Sequence, residues 1–169
     1  MKIGKGAIIG LLGGLLGLVG VFLPWASASA GPVTISVTGA CLGGIGSIDM
    51  GGVSIPCSLA ASGEGAIYAY GILAFSVLGL IFVILGKRST SMLALIFGLL
   101  TIILAGVAIA RLSSILAAAP GASLGYGIIL CIVGGILLLL GSVLAMGEAK
   151  KAMMGPAPMP MAPPMPPPQ

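Results

Sequence analysis

Few side chains in this sequence could carry out acid–base or nucleophilic chemistry. The chain of 169 residues has no histidine, three cysteines and three acidic residues, Asp49, Glu64 and Glu148. General acid–base catalysis needs a titratable group that is held beside its substrate. Asp49 lies in a glycine-rich turn and Glu64 at a predicted helix boundary, so neither resembles a catalytic group. We therefore expect a non-enzyme with no catalytic residue, cofactor or metal site.

Two of the three cysteines are suited to form a disulfide. Cys41 and Cys57 flank a glycine-rich stretch in the longest segment between apolar blocks, which the flanking charges place outside the cell. That compartment permits disulfides, and closing a loop of this size contributes about 3 kcal/mol in the chain-entropy model. Free thiols and metal ligands are the alternatives, although a metal needs further ligands. Cys131 lies inside an apolar block, where it is expected to pack as a small residue.

Arg111 is the one basic residue that does not flank a cytoplasmic helix end. It lies at the outer end of the third apolar block, beside Ser113 and Ser114. A snorkelling arginine, whose head reaches the membrane boundary, is one interpretation. The other is an ion or lipid contact that Arg111 forms together with Glu64 at the outer rim.

The composition requires a membrane rather than water around most of this chain. Of its residues 59% are hydrophobic and only 6% are charged, whereas soluble domains carry about 25% charged residues. Four apolar blocks approach the roughly 20 residues that cross a bilayer. They run over residues 7–23, 66–86, 92–110 and 124–146. The fold class predicted for residues 1–152 is an all-α, four-transmembrane-helix bundle.

The orientation follows from the basic and the aromatic residues. Six of the seven Lys and Arg residues flank the blocks at the N-terminus, at Lys87-Arg88 and after the fourth block, which places both termini in the cytoplasm of a multi-pass cell-membrane protein. Aromatic residues at the opposite helix ends are expected at the membrane boundary. They are Trp25, Tyr68, Tyr70 and Tyr126. No basic stripe with interleaved aromatics is present, so no nucleic-acid partner is expected.

The first block also has features of a cleavable signal peptide. Lys2 and Lys5 precede the apolar stretch, and Ala26 to Ala30 resembles a cleavage site. Cleavage would leave three spans in the same orientation. The regular glycines of the block favour a retained helix, because a discarded peptide does not need them.

Glycines recur at helical spacing in the first and fourth blocks. In the first block the spacing alternates between four and three residues, and in the fourth it is seven. The positions are Gly6, Gly10, Gly13, Gly17, Gly20, Gly127, Gly134 and Gly141. In lipid, helices associate through close backbone contact at small residues. The pattern predicts tight packing, either inside the bundle or between copies in a homo-oligomer.

The outer loop, about residues 27–65, has the alternation of a β-strand. Val33, Ile35 and Val37 alternate with hydroxyl residues, and 53–55 is a second candidate strand. Because a two-stranded hairpin alone is marginally stable in water, the Cys41–Cys57 disulfide is expected to close it. The prediction is a small β-hairpin in the first extracellular loop.

Four spans, a Trp just after the first span and a paired-cysteine outer loop with strand-like alternation resemble the claudin and peripheral-myelin-protein superfamily of tetraspan proteins. The Gly-Leu-Trp motif that precedes the first loop cysteine in that family is replaced here by Gly39-Ala40 before Cys41. The resemblance implies a structural or adhesive membrane protein with a small sheet on its outer surface.

The C-terminal residues 153–169 form a Pro/Met-rich tail that is expected to be disordered and cytoplasmic. Such a tail is either a spacer or a docking segment for a cytoplasmic partner. Taken together, the sequence predicts a non-enzymatic tetraspan protein with a structural, adhesive or organising role, whose partners are the lipid bilayer and other membrane proteins. The alternative is a small channel or an accessory subunit of a larger complex.

Overall fold

The computed structural model describes residues 4–30, 33–50, 53–57, 63–85, 88–118 and 121–153. The elements are, in chain order, α1 (Lys5–Phe22), β1 (Pro24–Ala30), β2 (Val33–Thr38), α2 (Gly39–Leu42), β3 (Ser47–Met50), β4 (Val53–Pro56), α3 (Gly63–Leu85), α4 (Arg88–Leu116), β5 (Ala122–Leu124) and α5 (Tyr126–Met153). Helices make up most of these residues, as the composition predicts.

Four helices, α1, α3, α4 and α5, are long and apolar enough to cross a membrane. They coincide with the four predicted blocks, but α4 is longer than predicted, since it includes Arg111 and ends only at Leu116. In this last part the hydroxyls of Ser113 and Ser114 donate to the carbonyls of Ala110 and Arg111 in the preceding turn, so these polar side chains are satisfied within the helix.

Neighbouring helices in the bundle are antiparallel. Helix α1 packs between α5 and α3, and α4 packs between α3 and α5. The phenyl rings of Phe75 and Phe82 on α3 both stack on Phe97 of α4. One end of the bundle, the strand end, carries all five strands and α2. The opposite end, the tail end, contains Lys5 and Glu148, where the Glu148 carboxylate accepts a hydrogen bond from the Lys5 backbone amide at 3.1 Å.

Helices α1 and α5 meet with their backbones in direct contact. A methyl group built on Gly13 would collide with the backbone nitrogen of Leu138, and one built on Gly134 would lie 2.5 Å from the nitrogen of Gly17. The same holds along the whole interface at Gly6, Gly20, Gly127 and Gly141. Glycines spaced by seven residues on both helices therefore interdigitate, which brings the two axes closer than larger side chains allow.

The remaining glycines of α1 face a different neighbour. Methyl groups on Gly10 and Gly14 would touch Val83 and Leu80 of α3, and one on Gly17 would lie 2.6 Å from the Ser76 hydroxyl. The glycines of the single stripe predicted on α1 thus contact two different helices, α5 and α3. Alternate members of a 4-3-4-3 pattern lie on opposite edges of the stripe, so each edge faces one of these neighbours.

The strands pair differently from the predicted hairpin. Strand β2 pairs with β1 rather than with β4, and β1 also pairs with β5, which gives a three-stranded antiparallel sheet of order β2-β1-β5. Strands β3 and β4 form the hairpin that lies between the two loop cysteines. The predicted pairing of β2 with residues 53–55 was therefore wrong. The sequence did not indicate β1 as a strand, because after Trp25 it consists of Ala and Ser and lacks large apolar residues.

We expect Gly13→Ala to lower the free energy of unfolding by about 1–3 kcal/mol, because the new methyl group meets backbone and forces α1 from α5. Unfolding is followed in detergent by the emission of Trp25, the only tryptophan. The matched control is Gly106→Ala, where a methyl group meets nothing within 4 Å. Helix propensity favours alanine by roughly 1 kcal/mol at both positions, so equal stabilities of the two variants would contradict the close contact.

Candidate binding cleft at the strand end

Trp25 connects the strand end to the helices. The pairing of β1 with β2 is irregular between Pro24 and Ala26, so Trp25 occupies a bulge. A bulge re-aims its side chain out of the regular alternation, and the indole here is fully buried, with its N–H donating to the Gly20 carbonyl at 2.9 Å. The ring is therefore enclosed by protein, and its expected position at the membrane boundary stays a prediction.

The five strands, α2 and their connections form a unit that we call the cap. It consists of the described residues of the ranges 24–57 and 121–124. Two further contacts fix it on the bundle. The Tyr70 hydroxyl of α3 donates to the Gly43 carbonyl at 2.6 Å, and the Gly125 amide donates to the Trp25 carbonyl at 2.8 Å. The cap is thus attached to α1, α3 and α5.

The predicted disulfide between Cys41 and Cys57 is present and lies inside a small core of the cap. Both cysteines are buried, together with Ile48 of the hairpin, and Ile35 and Val37 pack against them. The apolar face predicted for β2 therefore covers the disulfide. The bond also holds α2, whose first turn is capped by the Thr38 hydroxyl, which accepts from the Cys41 amide at 3.1 Å.

A cleft of about 90 Å³ opens between the cap and the strand ends of α3 and α4. Its walls are mainly apolar, and two charged residues line it. The lining residues are Trp25, Leu42, Glu64, Gly65, Tyr68, Ala108, Arg111, Leu112 and Ile115. Apolar walls with a few polar groups are the general composition of ligand sites.

Glu64 and Arg111, which the sequence places near one another at the outer rim, line this same cleft. Glu64 is in the first turn of α3, and Arg111 is near the end of α4. Both residues are exposed, so their charged groups are accessible from outside the protein. The remaining charged side chains that the structure describes, Lys5, Glu148 and Lys150, belong to the opposite ends of the helices.

The other sequence-predicted residues are distributed over the bundle. Tyr68 is partly buried in the cleft wall, whereas Tyr70 and Tyr126 are exposed at the strand end. Cys131 is buried against α1, and its thiol donates to the Gly17 carbonyl at 3.6 Å. The Pro-rich tail from residue 154 onward lies outside the described residues, so its roles stay predictions.

Sequence reasoning missed most of the cleft lining. Leu42 and Leu112 carry no signal in the sequence, whereas Ala108 and Ile115 lie three residues before and four residues after Arg111, on the same face of α4. Within the described ranges, no group of three or more His, Cys, Asp or Glu residues is placed to hold a metal ion.

The chain has no match among known protein families or among characterised proteins.

We expect the Cys41→Ser/Cys57→Ser variant to lose most protection of the β3–β4 amides from hydrogen exchange, because the disulfide contributes about 3 kcal/mol in the chain-entropy model. Exchange in the four long helices should change little, since their packing does not involve the bond. Cys131→Ala, which keeps the disulfide, serves as the control. Unchanged protection of β3 and β4 in the double variant would show that the hairpin does not need the bond.

A second expectation concerns the close contact between Gly39 and the Trp25 ring. A methyl group on Gly39 would lie 2.7 Å from the indole nitrogen of Trp25 and closer still to its ring carbons. Gly39→Ala should therefore displace the ring, shift its emission to longer wavelength and lower the melting temperature. Gly63→Ala, with nothing within 4 Å of the added methyl, is the matched control. An unshifted emission spectrum in Gly39→Ala would contradict the close contact between Gly39 and the Trp25 ring.

Proposed function

We propose that this chain is a non-enzymatic, four-span integral membrane protein that acts through its cap, in a structural, adhesive or organising role. The observation that carries the proposal is the cap itself. It is a small disulfide-containing assembly attached to a bundle of membrane-length helices. A folded, disulfide-closed surface outside a membrane is suited to contact other molecules, because its segments are already ordered before association.

The outward faces of the long helices support a membrane setting. On α1 the exposed apolar residues recur every three or four positions, at Ile8, Leu12, Leu15 and Val19. Continuous apolar stripes of this size are costly in water and are satisfied by lipid tails. Basic residues at the tail end favour a cytoplasmic tail end and hence an outer cap. Lys5 and Lys150 lie at that end of the helices, and in the sequence Lys2, Lys87 and Lys151 flank the same helix ends.

The position of the glycines argues for the organising role over the channel alternative. Lipid-facing glycine stripes would favour assembly of a pore from several copies. In this chain the glycines of α1 and the regularly spaced Gly127, Gly134 and Gly141 of α5 are instead covered by contacts within one molecule. A cleaved α1 would leave the glycine face of α5 without its neighbour, which also favours retention of the first helix.

The buried hydroxyls give the same indication. Thr101 donates to the Phe97 carbonyl at 2.9 Å, and Ser142 donates to the Leu138 carbonyl at 2.7 Å, each within its own helix. Each of these two hydroxyls uses its single proton within its own helix, so neither is a free proton donor along a path through the bundle. The resemblance to claudins stays a prediction, and the proposal does not depend on it.

Two exposed apolar residues on the cap are the candidate contact points. Ile45 and Val53 are 48% and 63% exposed, although they belong to a segment with its own small core. Exposed apolar side chains on a rigid surface are a common feature of contact sites, because a partner removes them from water.

The test reconstitutes the full chain, with its disulfide intact, into two vesicle populations that carry donor and acceptor dyes and an entrapped solute. We expect protein-dependent association of the vesicles without solute release. Ile45→Ser/Val53→Ser should weaken the association several-fold, because it removes the apolar contact surface. Ser54→Ala, an exposed position beside Val53, is the matched control.

Two results would count against this function. Association that Ile45→Ser/Val53→Ser leaves unchanged would exclude the cap as the contact surface. Solute or ion flux that cap variants leave unchanged would favour the channel alternative instead.

A further inference from the structure

The cleft between the cap and helices α3 and α4 has no role in the contacts proposed for the cap. Ile45 and Val53 are not among its lining residues. Its charged groups are one carboxylate and one guanidinium, from Glu64 and Arg111, and apolar side chains complete the walls. A ligand that complements this lining carries both a negative and a positive group and is attached to something apolar.

The location of the cleft restricts the ligand further, provided that the four-span arrangement proposed above holds. Glu64 is the second residue of α3, and Arg111 lies five residues before the end of α4. Both therefore sit where apolar helices leave the membrane, at the depth of the phospholipid head groups. Arg111 can reach this depth with its aliphatic stem along apolar neighbours.

We infer that the cleft binds the head group of a zwitterionic phospholipid with a primary ammonium group, of the phosphatidylethanolamine type. Arg111 donates paired hydrogen bonds to the phosphate oxygens, a geometry that the planar guanidinium favours. Glu64 accepts hydrogen bonds from the ammonium group. Ala108 and Leu112, one helical turn apart on α4, provide apolar wall for the glycerol and acyl region.

Other common head groups fit this lining less well. An anionic lipid without an ammonium group leaves Glu64 without a partner and adds a like charge beside it. A choline head group has no N–H donor for Glu64 and is usually held by the faces of several aromatic rings. The Trp25 ring is fully buried, so of the two aromatic lining residues only Tyr68 offers exposed surface.

Snorkelling of Arg111 explains the position of the arginine in the cleft but not that of Glu64. It accounts for a single arginine that reaches the boundary, but not for a carboxylate from a second helix that lines the same cleft. An exposed carboxylate and guanidinium with apolar walls on either side are matched by a ligand that carries both complementary charges.

The test offers the full-length protein, in mild detergent, equal amounts of dioleoyl phosphatidylethanolamine, phosphatidylcholine and phosphatidylglycerol and counts the adducts by native mass spectrometry. We expect the ethanolamine lipid to predominate. Arg111→Gln should weaken binding of all three lipids, and Glu64→Gln should weaken the ethanolamine lipid alone. A loss of about tenfold in each case corresponds to one charge-assisted contact.

Lys150→Gln, which removes an exposed charge at the tail end, is the control and should leave the adduct pattern unchanged. Trp25 emission and the melting temperature of each variant verify that the cleft is still formed. Equal binding of the three lipids, or no effect of Glu64→Gln, would overturn the inference. Displacement of the lipid by free phosphoethanolamine at similar concentration would overturn it too, because the ligand would then be a soluble zwitterion. None of these results alters the vesicle-association test of the cap.

Discussion

The backbone contact between α1 and α5 is the constraint on which the rest of the structure depends. Packed helices usually lie about 8–10 Å apart, whereas paired strands lie about 4.8 Å apart. Strand β1 follows α1 directly, and β5 directly precedes α5. Two helices separated by large side chains would hold these strands too far apart to pair. The interdigitated glycines therefore fix the helix contact and also permit the sheet that continues from it.

The glycine contact extends without a break into the sheet. A methyl group on Gly127 would lie 2.7 Å from the Leu23 carbonyl oxygen, and one on Gly125 would collide with the Pro24 carbonyl. Over these residues the two segments of the chain change between helix and strand while they remain in contact. Trp25 then emerges at the bulge and turns inward, so the same junction supplies the largest buried side chain of the core that Val21, Ile72 and Ile128 also form.

The sequence is informative about elements and much less so about their partners. Helices of membrane length and the Cys41–Cys57 bond follow from local composition and compartment, and the apolar face of β2 follows from its alternation. The pairing of β2 with β1 could not be predicted, because Ala26, Ala28 and Ala30 alternate with serines but carry too little apolar surface to signal a strand. The burial of Trp25 depends on a bulge, and the cleft depends on how α2 docks on α3. Both are set by contacts between segments distant in the chain.

The side chains that the fold does not need are the ones that a function must explain. Backbone contact and the Trp25 ring hold the bundle and the cap together, and the disulfide closes the hairpin. Ile45, Val53, Glu64 and Arg111 are all exposed. Because these side chains are exposed, the apolar pair and the charged pair are both available to other molecules. A partner on the proposed contact surface would cover the apolar pair, and the proposed head group would pair with both charged groups. This is why the contact surface and the cleft, rather than the interior of the bundle, are the sites to which we assign function.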